Sequence, residues 1–261
     1  MTTSAAKNTR AARSRWLPLA VGAGGLCLWI LLSSLRAFPE SMFPSPRAVA
    51  AAFAGEIANG RLFRDIVASL FRVGVGFILA VAVGLPLGLW LGHAARARTA
   101  FLPAINFLRN LSPIAWIPFA VLWFGVGDVP VIFLIFLASV FPLMVATLAA
   151  VATIPAVYFR VADDYGVRGS ALFTEVTLPA IMPQVITALR ITAGVSWVVL
   201  VASEMIAGRD GLGFGILDAR NGLRTDLVVV GMIAIGSIGV VIDKLLVRMT
   251  RLPTVRWGYE H

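Results

Sequence analysis

Charge is what this chain has least of. Only 13% of its 261 residues are Asp, Glu, Lys or Arg, where a soluble domain carries about 25%. Such a chain would have too much apolar surface to hide in water. The single cysteine, Cys27, excludes an intrachain disulfide. Lysine occurs only at Lys7 and Lys244, and neither stands in G-x-x-x-x-G-K-[ST], so the chain has no P-loop to cradle a nucleotide. The two histidines, His93 and His261, are too isolated for a metal cluster. No Ser/His/Asp set gathers on one side of the expected membrane, so no catalytic residue, metal ligand or cofactor of its own is expected. Aromatic–basic interleaving and zinc spacing are also missing, so the net charge of +9 points to membrane orientation rather than nucleic acid. The "GLGFG" of residues 211–215 lacks the strand and helix setting of a dinucleotide fingerprint and reads as a turn.

Long apolar runs are what the chain does have. It is 59% hydrophobic with a mean hydropathy of +0.89, and the runs approach the ~20 residues needed to cross a bilayer. The expected fold class is an all-α integral membrane protein. Six spans are expected, at about 16–35, 72–92, 101–125, 129–152, 184–206 and 227–247. The first follows a basic leader and is too long for a signal-peptide core, so it reads as an uncleaved span. Twelve bases flank one side, in the tail of residues 1–15, at Arg96, Arg98, Arg160 and Arg168, and from Lys244 through the tail of residues 248–261. Seven flank the other: Arg36, Arg47, Arg61, Arg64, Arg209, Arg220 and Arg224. The excess places both termini in the cytoplasm. Pro39, Pro44 and Pro46 prevent a regular helix after the first span, although 47–58 suits a short interfacial one.

Several features inside the spans ask for partners. Gly76, Ala80, Gly84, Gly88 and Gly92 put a small residue at every fourth position of the second span, a stripe on which another helix can pack closely. Pro103, Pro113 and Pro118 interrupt the third span, and freed backbone groups at membrane depth survive only against protein or a wet cavity. Arg109 and Trp116 in that span, and Arg190, Trp197 and Glu204 in the fifth, form the candidate translocation pathway. Intramembrane ionisable residues are functional suspects by default, and guanidinium groups suit oxyanions. Arg190 could instead snorkel to the inner interface. Glu204 lies about 31 Å along the helix from Pro183, near the outer surface, where a solvated carboxylate is the plainer reading.

One polar segment separates the fourth and fifth spans: "RVADDYGVRGSALFTEVTLPAIMP", residues 160–183, with five charges, two glycines and two prolines. Val157, Val161 and Tyr165 recur at four-residue spacing, as in an amphipathic helix. Gly166 can end it in a left-handed turn, and Ser170 can cap a second short helix through Val176. Pro179 and Pro183 are expected to break the chain before the fifth span. The product is a helix–glycine–helix elbow with an apolar face, suited to docking another protein.

The elbow also carries a resemblance. Gly166, nine intervening residues, Val176, one residue, Leu178 and Pro179 resemble the EAA loop of permease subunits of ATP-binding-cassette importers. "FPSP" (43–46), "SLFRVGVGF" (69–77), "SPIAWIPFAVLWFG" (112–125), "ALRITAGVSWVVLVASEM" (188–205) and "GLGFGILDA" (211–219) are similar to the nitrate/sulfonate/taurine/bicarbonate branch. The resemblance implies a MetI-like permease fold in the cytoplasmic (inner) membrane, moving a small anion delivered by a solute-binding protein. It further implies a second permease copy and two ATPase copies that bind ATP–Mg. The coupling loop would comprise Arg160, Ala162, Asp163, Asp164, Gly166, Val176, Leu178 and Pro179. Where the family often has Glu-Ala-Ala, this chain has Arg160-Val161-Ala162, so the family glutamate is replaced, with Asp163 or Asp164 able to serve. The rival reading is a six-span secondary transporter or channel for a small anion. It would need mid-membrane carboxylates or inverted repeats, whereas Asp128, Asp226 and Asp243 sit at span ends.

Overall fold

The structure, a computed structural model, describes residues 20–35 and 39–249. The expected N-terminal tail, the start of the first span and most of the C-terminal tail lie outside the described residues. Two compact units divide the chain, one within Met1–Gly60 and Asp218–Val230, the other within Arg61–Leu217 and Gly231–His261.

In the smaller unit, α1 (Ala20–Ser34) is apolar but short, beginning where the described residues begin. The prolines then act as expected. The helix α2 (Pro46–Ala58) starts with Pro46 in its first turn, where a missing N–H costs nothing. Ser45 caps it, its hydroxyl accepting from the Ala48 N–H at 3.3 Å. The Trp29 indole N–H donates to the Pro44 carbonyl at 3.2 Å and joins α1 to this turn.

The larger unit holds the long helices α3 (Arg61–His93), α6 (Asp128–Ala152), α8 (Leu178–Ala207) and most of α10 (Thr225–Met249). Between them lie α4 (Ala95–Asn110), a 3₁₀ turn (Pro113–Trp116), α5 (Ile117–Phe124), α7 (Ala156–Asp164) and α9 (Leu212–Asn221). Four helices of the described residues are long and apolar enough to cross a membrane. The third expected span is not one rod: α4 and the Pro113–Phe124 segment meet at 86°, with Leu111 and Ser112 extended between them, the conformation that Pro113 favours in the residue before it. Even so, α4 packs beside Val140, Met144 and Leu148 of α6, and α5 beside Leu134 and Ala138. The bent pair therefore passes α6 in the opposite direction, and counting it as one span brings the number to five.

The small-residue stripe explains the closest packing. A β-carbon on Gly76 would lie 2.8 Å from Ile135, one on Gly84 2.9 Å from the Val140 carbonyl, and one on Gly88 2.7 Å from the Met144 carbonyl. At Gly92 the obstacle is Val151, at 2.7 Å, and Ala80 is fully buried in the same seam. The register rises together on both helices, so α3 and α6 run parallel with their backbones nearly in contact. On the other side of α6, α8 runs antiparallel, and Ser139 and Ser196 hydroxyls meet across the pair at 2.6 Å.

Candidate functional site

At one end of the larger unit, α7 forms the first arm of the elbow. Its last turn closes as a left-handed glycine cap: the Gly166 N–H donates to the Asp163 carbonyl at 3.0 Å and the Val167 N–H to the Ala162 carbonyl at 2.8 Å. Gly166 takes φ +73°, and Gly169 takes φ +62° three residues later. Ala162 is the buried residue of α7, whereas Val157, Tyr158, Val161 and Tyr165 are exposed. Tyr165 is 83% exposed. A groove of about 980 Å³ runs between this face and the start of α8, lined by Tyr158, Val161, Tyr165, Glu175, Val176, Pro179 and Gln184 among others. Arg160, Asp163 and Asp164 are solvent-facing. The Arg168 guanidinium donates to Asp163 from both Nε (2.8 Å) and an Nη (2.6 Å).

The second arm departs from expectation. Instead of a short helix broken by Pro179 and Pro183, a wide π turn (Leu172–Thr177) leads without interruption into α8. The Leu178 N–H reaches back to the Phe173 carbonyl, a five-residue step. That extra residue opens the helix just before Pro179, whose ring would otherwise press on the carbonyl four residues earlier. Val176 and Leu178 are half-buried, and Pro179 is exposed.

The opposite end carries a network the sequence reading did not assemble. Arg72, 2% exposed, donates four hydrogen bonds and makes one further ion-pair contact. Nη1 donates to Glu204 Oε1 and to the Asp210 carbonyl, each at 2.8 Å. Nη2 meets the carboxylates of Asp210 and Asp128, and Nε donates to Asp128 at 2.7 Å. Glu204 is fully buried, not at a solvated edge. Ser69 Oγ lies 2.8 and 2.9 Å from its two oxygens, and the Gly213 N–H donates to Oε2 at 2.9 Å. The Leu212 N–H in turn donates to Ser69 Oγ at 3.0 Å, so the N-terminus of α9 faces the buried carboxylate. The "GLGFG" segment, expected as a turn, is instead the start of α9: Gly211 alone precedes the helix, which begins at Leu212. Gly211 has φ +100°, and a β-carbon there would lie 2.6 Å from Glu204 Cδ.

The remaining pathway candidates are scattered. Arg109 is exposed at the end of α4, and Trp116 is half-buried, packed on Phe119 and Trp123. Trp197 is buried between α8 and α10, its indole N–H donating to the Ile235 carbonyl at 3.2 Å. Arg190 pairs with Asp243 of α10 at 2.8 Å, both partly exposed. The structure thus gathers Glu204 with Arg72, and leaves Arg109, Trp116, Arg190 and Trp197 apart. Arg72 went unread because the second span was expected to start there, whereas α3 begins eleven residues earlier, at Arg61. The available signal was a lone arginine and a lone glutamate, both inside apolar helices, each needing an opposite charge.

Residues 84–252 match the family described as the binding-protein-dependent transport system inner membrane component, and the chain belongs to it. It is therefore a multi-pass membrane permease of a transport system and not itself a catalyst. The taurine transport system permease protein TauC of Escherichia coli is 33% identical over 237 residues, spanning 88% of this chain and 86% of that one. The bicarbonate transport system permease protein CmpB of Synechococcus elongatus is 32% identical over 244 residues, spanning 90% and 88%. Among solved structures, an inward-facing form of the MetNI methionine ABC transporter matches with a TM-score of 0.60 at 19% identity. It covers 73% of this chain and 97% of that one, a likeness of fold.

Proposed function

We propose that this chain is the translocation subunit of an ATP-driven importer and that a separate ATPase docks on the elbow of α7 and the following π turn. The observation that carries the reading is the exposed apolar face of α7 beside the groove, held by the Gly166 turn, in a permease that lacks a P-loop. ATP–Mg belongs to that partner. Asp163 is engaged by Arg168, which makes Asp164 the carboxylate available to replace the family glutamate. The solute is a small oxyanion of the sulfonate, taurine, nitrate or bicarbonate class, delivered by a solute-binding protein. The named solutes of the relatives support this, as does the capacity of arginine to hold oxyanions without losing charge. A second copy of the chain completes the pathway, with two ATPase copies beneath.

The test is co-purification and uptake. The chain expressed with the ATPase subunit of its transport system should retain it through affinity purification, and Tyr165→Asp, which puts a charge on the docking face, should release it. A complex unaffected by that substitution would remove the elbow as the docking site. Arg109→Gln and Arg190→Gln should each lower uptake while leaving assembly intact. Unchanged uptake in both would take these residues out of the pathway.

A further inference from the structure

The isolated histidine at the end of α3 has a role that neither metal binding nor catalysis supplies. Its Nδ1 lies 3.0 Å from the Leu89 carbonyl, one turn back on its own helix. A carbonyl only accepts, so Nδ1 carries the proton and the ring is held at a fixed angle to α3. Nε2 then faces the Thr177 hydroxyl at 3.0 Å. Thr177 is fully buried at the last position of the π turn. The same ring meets Phe173 of the π turn edge-on at 4.8 Å and Phe159 of α7 at 5.6 Å and 88°. One imidazole therefore touches both arms of the elbow and the helix beside them.

What lies behind the ring matters equally. Gly92, the neighbouring residue, is packed so closely on Val151 of α6 that a β-carbon would sit 2.7 Å away. There is no slack between α3 and α6 to absorb a displacement. About 32 Å further along α3, Arg72 ties the helix to α8, to the first residue of α6 and to the turn before α9. A push that reaches position 93 thus has a stiff path to the other end of the unit.

We propose that His93 is the positioning residue that transmits movement of the elbow into α3, through its hydrogen bond to Thr177 and its edge contacts with Phe159 and Phe173. The inference rests on the importer reading above. His93 makes α7, the π turn and the end of α3 move as one body when the ATPase closes.

The experiment uses the full chain with its ATPase in lipid nanodiscs, in a Cys27→Ser background. Nitroxide labels are placed at Ala156→Cys, an exposed position of α7 outside the groove lining, and at the exposed Leu87→Cys on α3. The distance between them is measured without nucleotide and after trapping with ATP and vanadate, a probe that needs no knowledge of the solute. With His93 present, the distance should stay narrow and unchanged on trapping. With His93→Ala the ATPase should still co-purify, while the distance shifts and broadens on trapping. In sealed vesicles carrying the same complex, with labelled taurine and a taurine-binding protein as the probe, uptake per ATP hydrolysed should fall on the order of tenfold, the scale of an ordinary inter-site coupling. Thr177→Val should produce the same defect, no larger in combination with His93→Ala. His93→Gln, whose amide oxygen can accept from Thr177, should restore part of it. An unchanged distance in His93→Ala, or a shifting distance in the His93 protein, would overturn the proposal. So would a loss of ATPase binding in His93→Ala that Gln does not rescue, since that is a structural defect. A His93 protein that binds no ATPase at all would overturn the importer reading and this inference with it.

Discussion

A guanidinium enclosed among apolar helices persists only if its donors are engaged and its charge is answered, and Arg72 has four hydrogen bonds and three carboxylate partners. Removing one partner leaves the other charged and buried, at a cost of about 3–5 kcal/mol. Arg72→Met should therefore sharply lower the thermal stability of the purified protein in detergent. Arg72→Met combined with Glu204→Met should recover much of it, because the remaining acids, Asp128 and Asp210, are more than half exposed and can stay hydrated. Equal damage in the single and double variants would mean that the network does more than neutralise itself. Gly166 makes a different demand. A β-carbon there would meet nothing within 4 Å, so the constraint is the φ of +73° alone. Gly166→Val should strain the turn by about 1–2 kcal/mol, leave membrane insertion intact and reduce ATPase co-purification and uptake. Gly166→Asn, a residue that tolerates this conformation, should be mild. Equal behaviour of Val and Asn would rule out the backbone argument.

At the scale of elements, the α3–α6 seam depends on small residues in register. Gly88→Ala would press a methyl onto the Met144 carbonyl and Thr147 and should destabilise by about 1–3 kcal/mol. Gly74→Ala on the same helix meets nothing within 4 Å and should be neutral or slightly stabilising. Comparing the melting temperatures of the two variants checks the seam, and an equal loss in both would contradict it. The stripe was legible in the sequence because close packing in lipid needs small residues at helical spacing. The elbow was legible because its turn needs glycine where an amphipathic pattern stops. The π turn before Pro179 was not, because an added residue in a helical turn leaves no mark on hydrophobic periodicity. Nor was the buried network: its parts come from α3, α6, α8 and the turn before α9, and only tertiary packing brings Ser69, Arg72, Asp128, Glu204 and Asp210 together. Arg190 was readable as a charge in an apolar helix, but its partner Asp243 lies 53 residues away.

For the whole molecule, composition pointed to the membrane class and the Gly166–Pro179 spacing to a resemblance, and the match of residues 84–252 shows the family. The closely packed α3–α6 pair is clasped by charge at one end and meets the elbow at the other, and in the importer reading proposed above it is the part on which the ATPase acts. The most direct test is reconstitution of the chain in vesicles with labelled taurine or bicarbonate and the matching solute-binding protein, with and without the ATPase. The account predicts accumulation only when both ATPase and ATP are present, and none when the Gly166→Val chain replaces the native one. Accumulation by the chain with no ATPase in the vesicle would contradict it.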